Sequence, residues 1–222
     1  MKRLFILLSL LLLVGGCAGY NFVGPKNPFA QYGVQSITVP MFVNHSAITG
    51  VTGVLTKEIR LRLQRYSGLK VSSGESSSTD AVLVGIIDSA DSRYQVFTPA
   101  ARKFTESELA SSLGARSQFY VPTSTNYQFS LKLVLIKRPS EADLEFLSQG
   151  QLSPLLSRHP RVIFSQELNL TSSFTRYLEG NVNVDSAGVV NYTKSQGVFE
   201  SSLDALAKSA ANQFETVVIH VF

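Results

Sequence analysis

Cysteine, tryptophan and histidine are nearly absent from this 222-residue sequence. It has one Cys, no Trp and three His, and charged residues make up 16% of it. A single Cys rules out an intramolecular disulfide and any Cys-based metal cage. The three His, at positions 45, 159 and 220, offer little material for a histidine metal site. The charged fraction lies below that of an average soluble domain, while 44% of the chain is hydrophobic. That excludes a disordered composition and leaves enough apolar material for one core. Long apolar runs are missing everywhere except at the N-terminus, which excludes a multi-span membrane protein.

The N-terminal run determines the expected compartment. Lys2 and Arg3 precede an apolar stretch from Leu4 to Val14, broken only by Ser9. It is short for a helix crossing ~30 Å of hydrocarbon and has the length of a signal-peptide core. Gly15, Gly16 and the lone Cys17 follow. Val14-Gly15-Gly16-Cys17 resembles the bacterial lipobox: a branched apolar residue, two small ones, then the thiol that receives lipid. Competing explanations are a plain secretory signal with an incidental Cys and an N-terminal anchor helix. The position of the only Cys at the cleavage point favours lipidation at Cys17. Cleavage before it removes Lys2 and Arg3, two of the cations behind the formal charge of +4. Three acyl chains, at about 0.8 kcal/mol per buried CH2, make a permanent anchor. Ala18 stands where Asp would favour retention in the inner membrane of enterobacteria, so the expected location is the periplasmic face of the outer membrane.

The expected organisation is a signal peptide at 1–16, a lipidated tether at 17–33 and a single domain at 34–222. Pro25 and Pro28 favour extended backbone in the tether, and Tyr20, Phe22, Phe29 and Tyr32 either meet headgroups or pack on the domain. Val34 to Phe42 predicts a strand whose end Pro40 places at a sheet edge, and Thr49 or Val51 to Tyr66 a helix stopped by Gly68. On that helix Glu58 and Arg62 stand in the favourable i,i+4 order. Leu69 to Ser72 predicts a short strand. Ala81 to Ile87 predicts a strand buried on both faces. Ser92 to Thr98 predicts a partner strand, 102–113 a short helix, and Gln118 to Val121 another strand. Tyr127 to Ile136 alternates cleanly, with Tyr127, Phe129, Leu131, Leu133 and Leu135 on one side. Val162 to Phe174 is a strand with Val162, Phe164, Leu168, Leu170 and Phe174 on one side, interrupted in pattern by Gln166 and Ser172. From Val198 to Val221 apolar residues recur every three or four positions, predicting a closing amphipathic helix. The resulting fold class is α+β: a two-layer sandwich with two main helices on one face of a mixed or antiparallel sheet of about four or more strands.

Motifs for chemistry are missing. There is no nucleophile elbow, no phosphate-cradling Gly loop and no helical His-Glu-x-x-His. Asn181 to Asp185 starts like a calcium loop but puts Ser186 and Tyr192 where Gly and Glu are required, so it reads as a polar turn. Ser76-Ser77-Ser78 has no neighbouring His and reads as a solvated loop. His220 complements the negative end of its helix. Neither enzymatic turnover nor a cofactor is expected. Cations gather instead around Arg60, Arg62, Arg65 and Lys70, at Lys132, Lys137 and Arg138, and at Arg158 and Arg161. In the periplasm the polyanions that they would meet are phosphorylated head groups rather than nucleic acid.

The ordered set of segments resembles the lipopolysaccharide-assembly lipoprotein family LptE. The resemblance rests on Cys17-Ala18-Gly19-Tyr20-Asn21-Phe22, on the Ile37 to Phe42 strand with Pro40, and on Asn44 and Ser46 leading into Leu55-Thr56-Lys57-Glu58. Asp80-Ala81-Val82-Leu83 with Gly85-Ile86-Ile87, Tyr127-Gln128-Phe129-Ser130-Leu131 and the closing helix complete it. Phe164 departs from the family's usual Trp, and the stretches at 99–125 and 139–160 are long. The resemblance implies a lipoprotein that plugs and helps assemble an LptD-like outer-membrane β-barrel and aids lipopolysaccharide insertion at the cell surface. The alternative is a lipoprotein activator of a cell-wall synthase. Lys132, Lys137 and Arg138 are the expected lipopolysaccharide contacts, nominated on charge alone.

Overall fold

The computed structural model describes residues 24–74, 78–104, 120–140, 160–176 and 192–221. The apolar run in the first half of the chain forms the middle of the sheet. It becomes β4 (Ala81–Asp88), in which every residue but Asp88 is buried. Strand β6 (Tyr120–Lys137) runs antiparallel along one edge of β4, from Ala81↔Lys137 to Asp88↔Ser130. The opposite edge is shared by β1 (Ser36–Val39) and β2 (Val43–Asn44), both parallel to β4. Pro40 lies in the break between them, where the missing N–H costs no ladder bond. Strand β3 (Lys70–Ser73) lies parallel to β1 at the margin of the sheet.

Strand β5 (Phe97–Phe104) also pairs antiparallel with β6, from Phe97↔Tyr127 to Phe104↔Tyr120. It continues along β6 past the end of β4, and a single helical turn, α2 (Arg93–Val96), joins the two. The strand expected over Ser92 to Thr98 is thus displaced toward the C-terminus, because β4 leaves the ladder at Asp88 and the chain must turn before it rejoins. The helix expected over 102–113 is replaced by β5 as far as Phe104; its remainder lies outside the described residues. Strand β7 (Val162–Thr175) covers the other edge of β6, and among the described residues the sheet has seven strands.

Helices α1 (Val51–Leu63) and α3 (Tyr192–Val221) pack on one face. The outcome is the expected α+β sandwich, with a mixed sheet. Inward residues of β6 (Tyr127, Phe129, Leu131, Leu133, Leu135) meet Phe164, Leu168 and Leu170 of β7 and Leu203, Leu206 and Phe214 of α3. Phe164 and Phe214 meet edge to face, with centroids 6.0 Å apart. Ala207, Ala210 and Ala211 are fully buried, which lets α3 lie close to what it covers.

Arg62 does not make the intrahelical pair expected with Glu58. Its Nη1 donates to Glu215 Oε2 of α3 at 2.8 Å, and its Nη2 donates to Asn212 Oδ1. The two bonds to Glu215 and Asn212 satisfy the largely buried guanidinium and tie α1 to α3 through charge-assisted hydrogen bonds. Beside this pair, burial and then the Glu215 carboxylate push the Tyr66 phenol up, while Arg62 pulls it part of the way back.

The segment before β1 is docked on this framework. Pro28–Tyr32 forms a 3-10 helix in which the Phe29 N–H donates to Asn27 Oδ1 at 2.9 Å. Phe29 itself is in the core. The Ser67 N–H donates to the Pro25 carbonyl at 2.8 Å, so the chain is held from Gly24 onward. Of the two environments open to the tether aromatics, Phe29 takes the packed one.

Candidate functional site

Cys17, the expected lipidation site, lies outside the described residues, as do Ser76, Ser77, Arg158 and the 181–186 segment. The three nominated cations are described, and the sheet separates them. Lys132 and Lys137 are five positions apart on β6. An odd offset puts them on opposite faces, about 17 Å apart along the strand. Lys132 is half-buried on the face away from the helices, where it is paired across strands with Glu167. Lys137 points the other way, and its Nζ donates to the Tyr32 carbonyl of the 3-10 segment. Arg138 is exposed at the strand end with φ 45°. Its N–H donates to the Asp80 carbonyl at 2.8 Å, and its own carbonyl accepts from Arg161 Nη1 at 3.1 Å. Lys137, Arg138 and Arg161 therefore share one corner, and Lys132 belongs to a different surface.

Asp80 organises that corner. Its Oδ2 accepts from the Gln35 and Ser36 N–H groups, each at 3.0 Å, and from Ser36 Oγ at 2.8 Å. The Gln35 bond foremost, and then the Ser36 hydroxyl, hold the carboxyl below its usual range. The sign follows from linkage. A depressed folded value stabilises the protein above the unfolded carboxyl value of about 3.9, and this contribution is lost as pH falls through the folded value. Asp80→Asn is expected to lower the urea midpoint at pH 7, with the gap to wild type closing below about pH 4. A pH-independent gap would contradict this account.

The face away from the helices has two halves. At one end Val82, Val84, Ile86, Val134 and Ile136 are buried as a second apolar cluster, with Val43 and Val162 against it. Along the rest, Asn126 and Gln128 of β6 are exposed, as is every outward residue of β7 from Ser165 on: Ser165, Glu167, Asn169, Thr171, Ser173 and Thr175. A shallow cleft of about 380 Å³ lies here, lined by Asp88, Gln128, Ser130, Glu167, Asn169 and Thr171 among others. The surface is a field of hydroxyl and amide groups, with one acid on β7. The polar half of the β7 alternation carried the signal for it; attention to the apolar half alone passes over it. Among the described residues no three His, Cys, Asp or Glu side chains gather as metal ligands, and no helix is long and apolar enough to cross a membrane.

No family model matches the sequence, and no curated protein does. Solved structures with similar folds include a proposed lipoprotein from Caulobacter crescentus, at 7% identity and TM-score 0.39, covering 80% of this chain and 86% of that one. A lipoprotein from Neisseria meningitidis matches at 12% identity and TM-score 0.34, covering 82% and 98% respectively. Rare lipoprotein B from Shewanella oneidensis matches at 8% identity and TM-score 0.35, covering 82% and 94%. At these values the likenesses carry no argument about this chain.

Proposed function

We propose that this chain is a lipid-anchored, non-enzymatic protein of the outer membrane. It would plug and help assemble the β-barrel that passes lipopolysaccharide to the cell surface. The observation that carries the reading is the shortness of the leash. From Cys17 to the docked Gly24 the chain can span no more than about 25 Å, at the extended limit of ~3.6 Å per residue. A domain tethered so closely stays at the membrane, whereas a synthase activator must reach across the periplasm. The hydroxyl and amide face of β6 and β7 supports the same reading, because the interior wall of an outer-membrane barrel is itself polar. A hydrogen-bonding surface with few charges suits such a wall better than an apolar or strongly charged one. For direct contact with lipopolysaccharide, the corner of Lys137, Arg138 and Arg161 and the separate Lys132 would be two independent contacts.

A photoreactive residue at Asn169 or Ser173 in the full-length chain, in its native membrane, tests this. The expected product is a one-to-one adduct with a large outer-membrane barrel, identified by mass spectrometry. The same probe at Lys208, exposed on α3, gives less of it. Adducts with a cell-wall synthase, or no adduct from the β7 positions, would reject the plug.

A further inference from the structure

We propose that the cleft between the start of α1, the start of α3 and the ends of β5 and β7 binds a single-chain lipid anion, a carboxylate or phosphate on one acyl stem. Two adjoining cavities form it. One, of about 390 Å³, is lined by Arg93, Phe97, Phe174, Arg176 and Phe199 among others. The second, of about 540 Å³, shares Thr49, Gln196 and Phe199 with the first and extends along Val54 and Leu203. Together they have the size of a small-ligand site, and the several acyl chains of lipopolysaccharide would not fit. The inference therefore stands apart from the translocon reading.

The first cavity has an aromatic floor and a cationic rim. Phe199 lies 5.0 Å from Phe174, 5.4 Å from Tyr127 and 6.0 Å from Phe97, centroid to centroid. The Arg93 guanidinium is 5.7 Å from the Phe97 centroid, and that of Arg176 is 5.8 Å from the Phe174 centroid. Among the described residues lining this cavity there is no carboxylate. Neither arginine forms an ion pair with a described residue. The Nε of Arg176 is buried without a hydrogen-bond partner. Two cations that share a cavity repel, and a buried N–H without an acceptor is costly. An oxyanion between them removes both penalties through charge-assisted hydrogen bonds. Helix α1 starts at the junction of the two cavities, where Thr49 lines both and the N-cap, Gly50, lines the second.

The second cavity sets the orientation. Glu200 and Asp204 line it and would repel an anionic head. Val54, Phe199 and Leu203 offer apolar surface to a stem. The head therefore belongs at Arg93 and Arg176, with the chain running between α1 and α3.

The test uses the full lipidated chain in maltoside micelles and dodecyl phosphate carrying a diazirine on its chain, with labelled residues mapped by mass spectrometry. Labelling is expected at Val54, Phe199 or Leu203. It should fall at least tenfold in the double variant Arg93→Gln with Arg176→Gln, and severalfold in Arg93→Gln alone, whose exposed side chain leaves folding untouched. Diazirine dodecanoate should label the same residues. Equal labelling by a neutral diazirine dodecanol would overturn the proposal, as would labelling elsewhere or no loss in the variants. Displacement of the probe by equimolar inorganic phosphate would reassign the cleft to a free anion and overturn the lipid assignment.

Discussion

Cys17→Ser is expected to abolish palmitate incorporation and to leave the precursor uncut, with its Lys2 and Arg3 still attached. The lipid-modifying step requires a thiolate, which attacks to form a thioether. A serine hydroxyl in the same place is a far weaker nucleophile and stays protonated at neutral pH. Because processing follows modification, one substitution blocks both. The consequence for location is large, since each buried CH2 of the three acyl chains contributes about 0.8 kcal/mol. Metabolic labelling with palmitate and the electrophoretic mobility of the product check it together. Continued labelling of the serine variant, or cleavage at another position, would remove the anchor from which the short-leash argument starts.

Gly85→Val is expected to be strongly destabilising. Gly85 faces the helices from β4, and a Cβ there would stand 2.5 to 2.7 Å from Cγ, Cδ1 and Cδ2 of Phe42. That ring has nowhere to go. Phe42 is 3% exposed and sits in the break between β1 and β2. Its N–H donates to Thr56 Oγ1 of α1 at 3.1 Å, which fixes the backbone that carries the ring. Overpacking of this kind costs about 1–3 kcal/mol and more where neither partner can yield. The urea midpoint should fall accordingly, and adding Phe42→Ala should restore part of the loss, as expected for contacting residues. An unchanged midpoint in Gly85→Val would show that Phe42 can leave its place at no cost.

The pairing of Gly85 with Phe42 also shows where reading from sequence stops. Gly85 was legible as part of a strand, where it interrupts an otherwise continuous apolar run, whereas Phe42, expected within the first strand, lies in the break between β1 and β2. That the ring from one segment fills the space above the glycine of another, 43 positions later, depends on β1 and β2 lying beside β4. Arg62 is a parallel case. Local spacing offered Glu58, yet the partner is Glu215, which packing brings from the far end of the chain. The Arg93 and Arg176 cleft belongs to the same class. Its residues come from α2, β5, the end of β7, α1 and α3, and no local pattern connects them.

What the sequence determined by itself was the periodic and the local. Alternation fixed the inward faces of β6 and of β7 from Phe164 on, the continuous apolar run fixed a strand buried on both faces, and three-four spacing fixed the closing helix, because each depends only on backbone repeat and water. Val162, expected on the side of Phe164, faces the other way because the ladder slips between Leu135 and Ile136. Tertiary structure decided what each cation meets. Parity along β6 already separates Lys132 from Lys137, but only strand pairing and docking set Glu167 across from Lys132, brought the Tyr32 carbonyl to Lys137 and drew Arg161 to Arg138. Tertiary structure also gave the arginines above Phe97 and Phe174 a common cavity. Side-chain proximity across segments is set by strand register and helix docking, and those follow from packing the whole core at once rather than from any stretch of it.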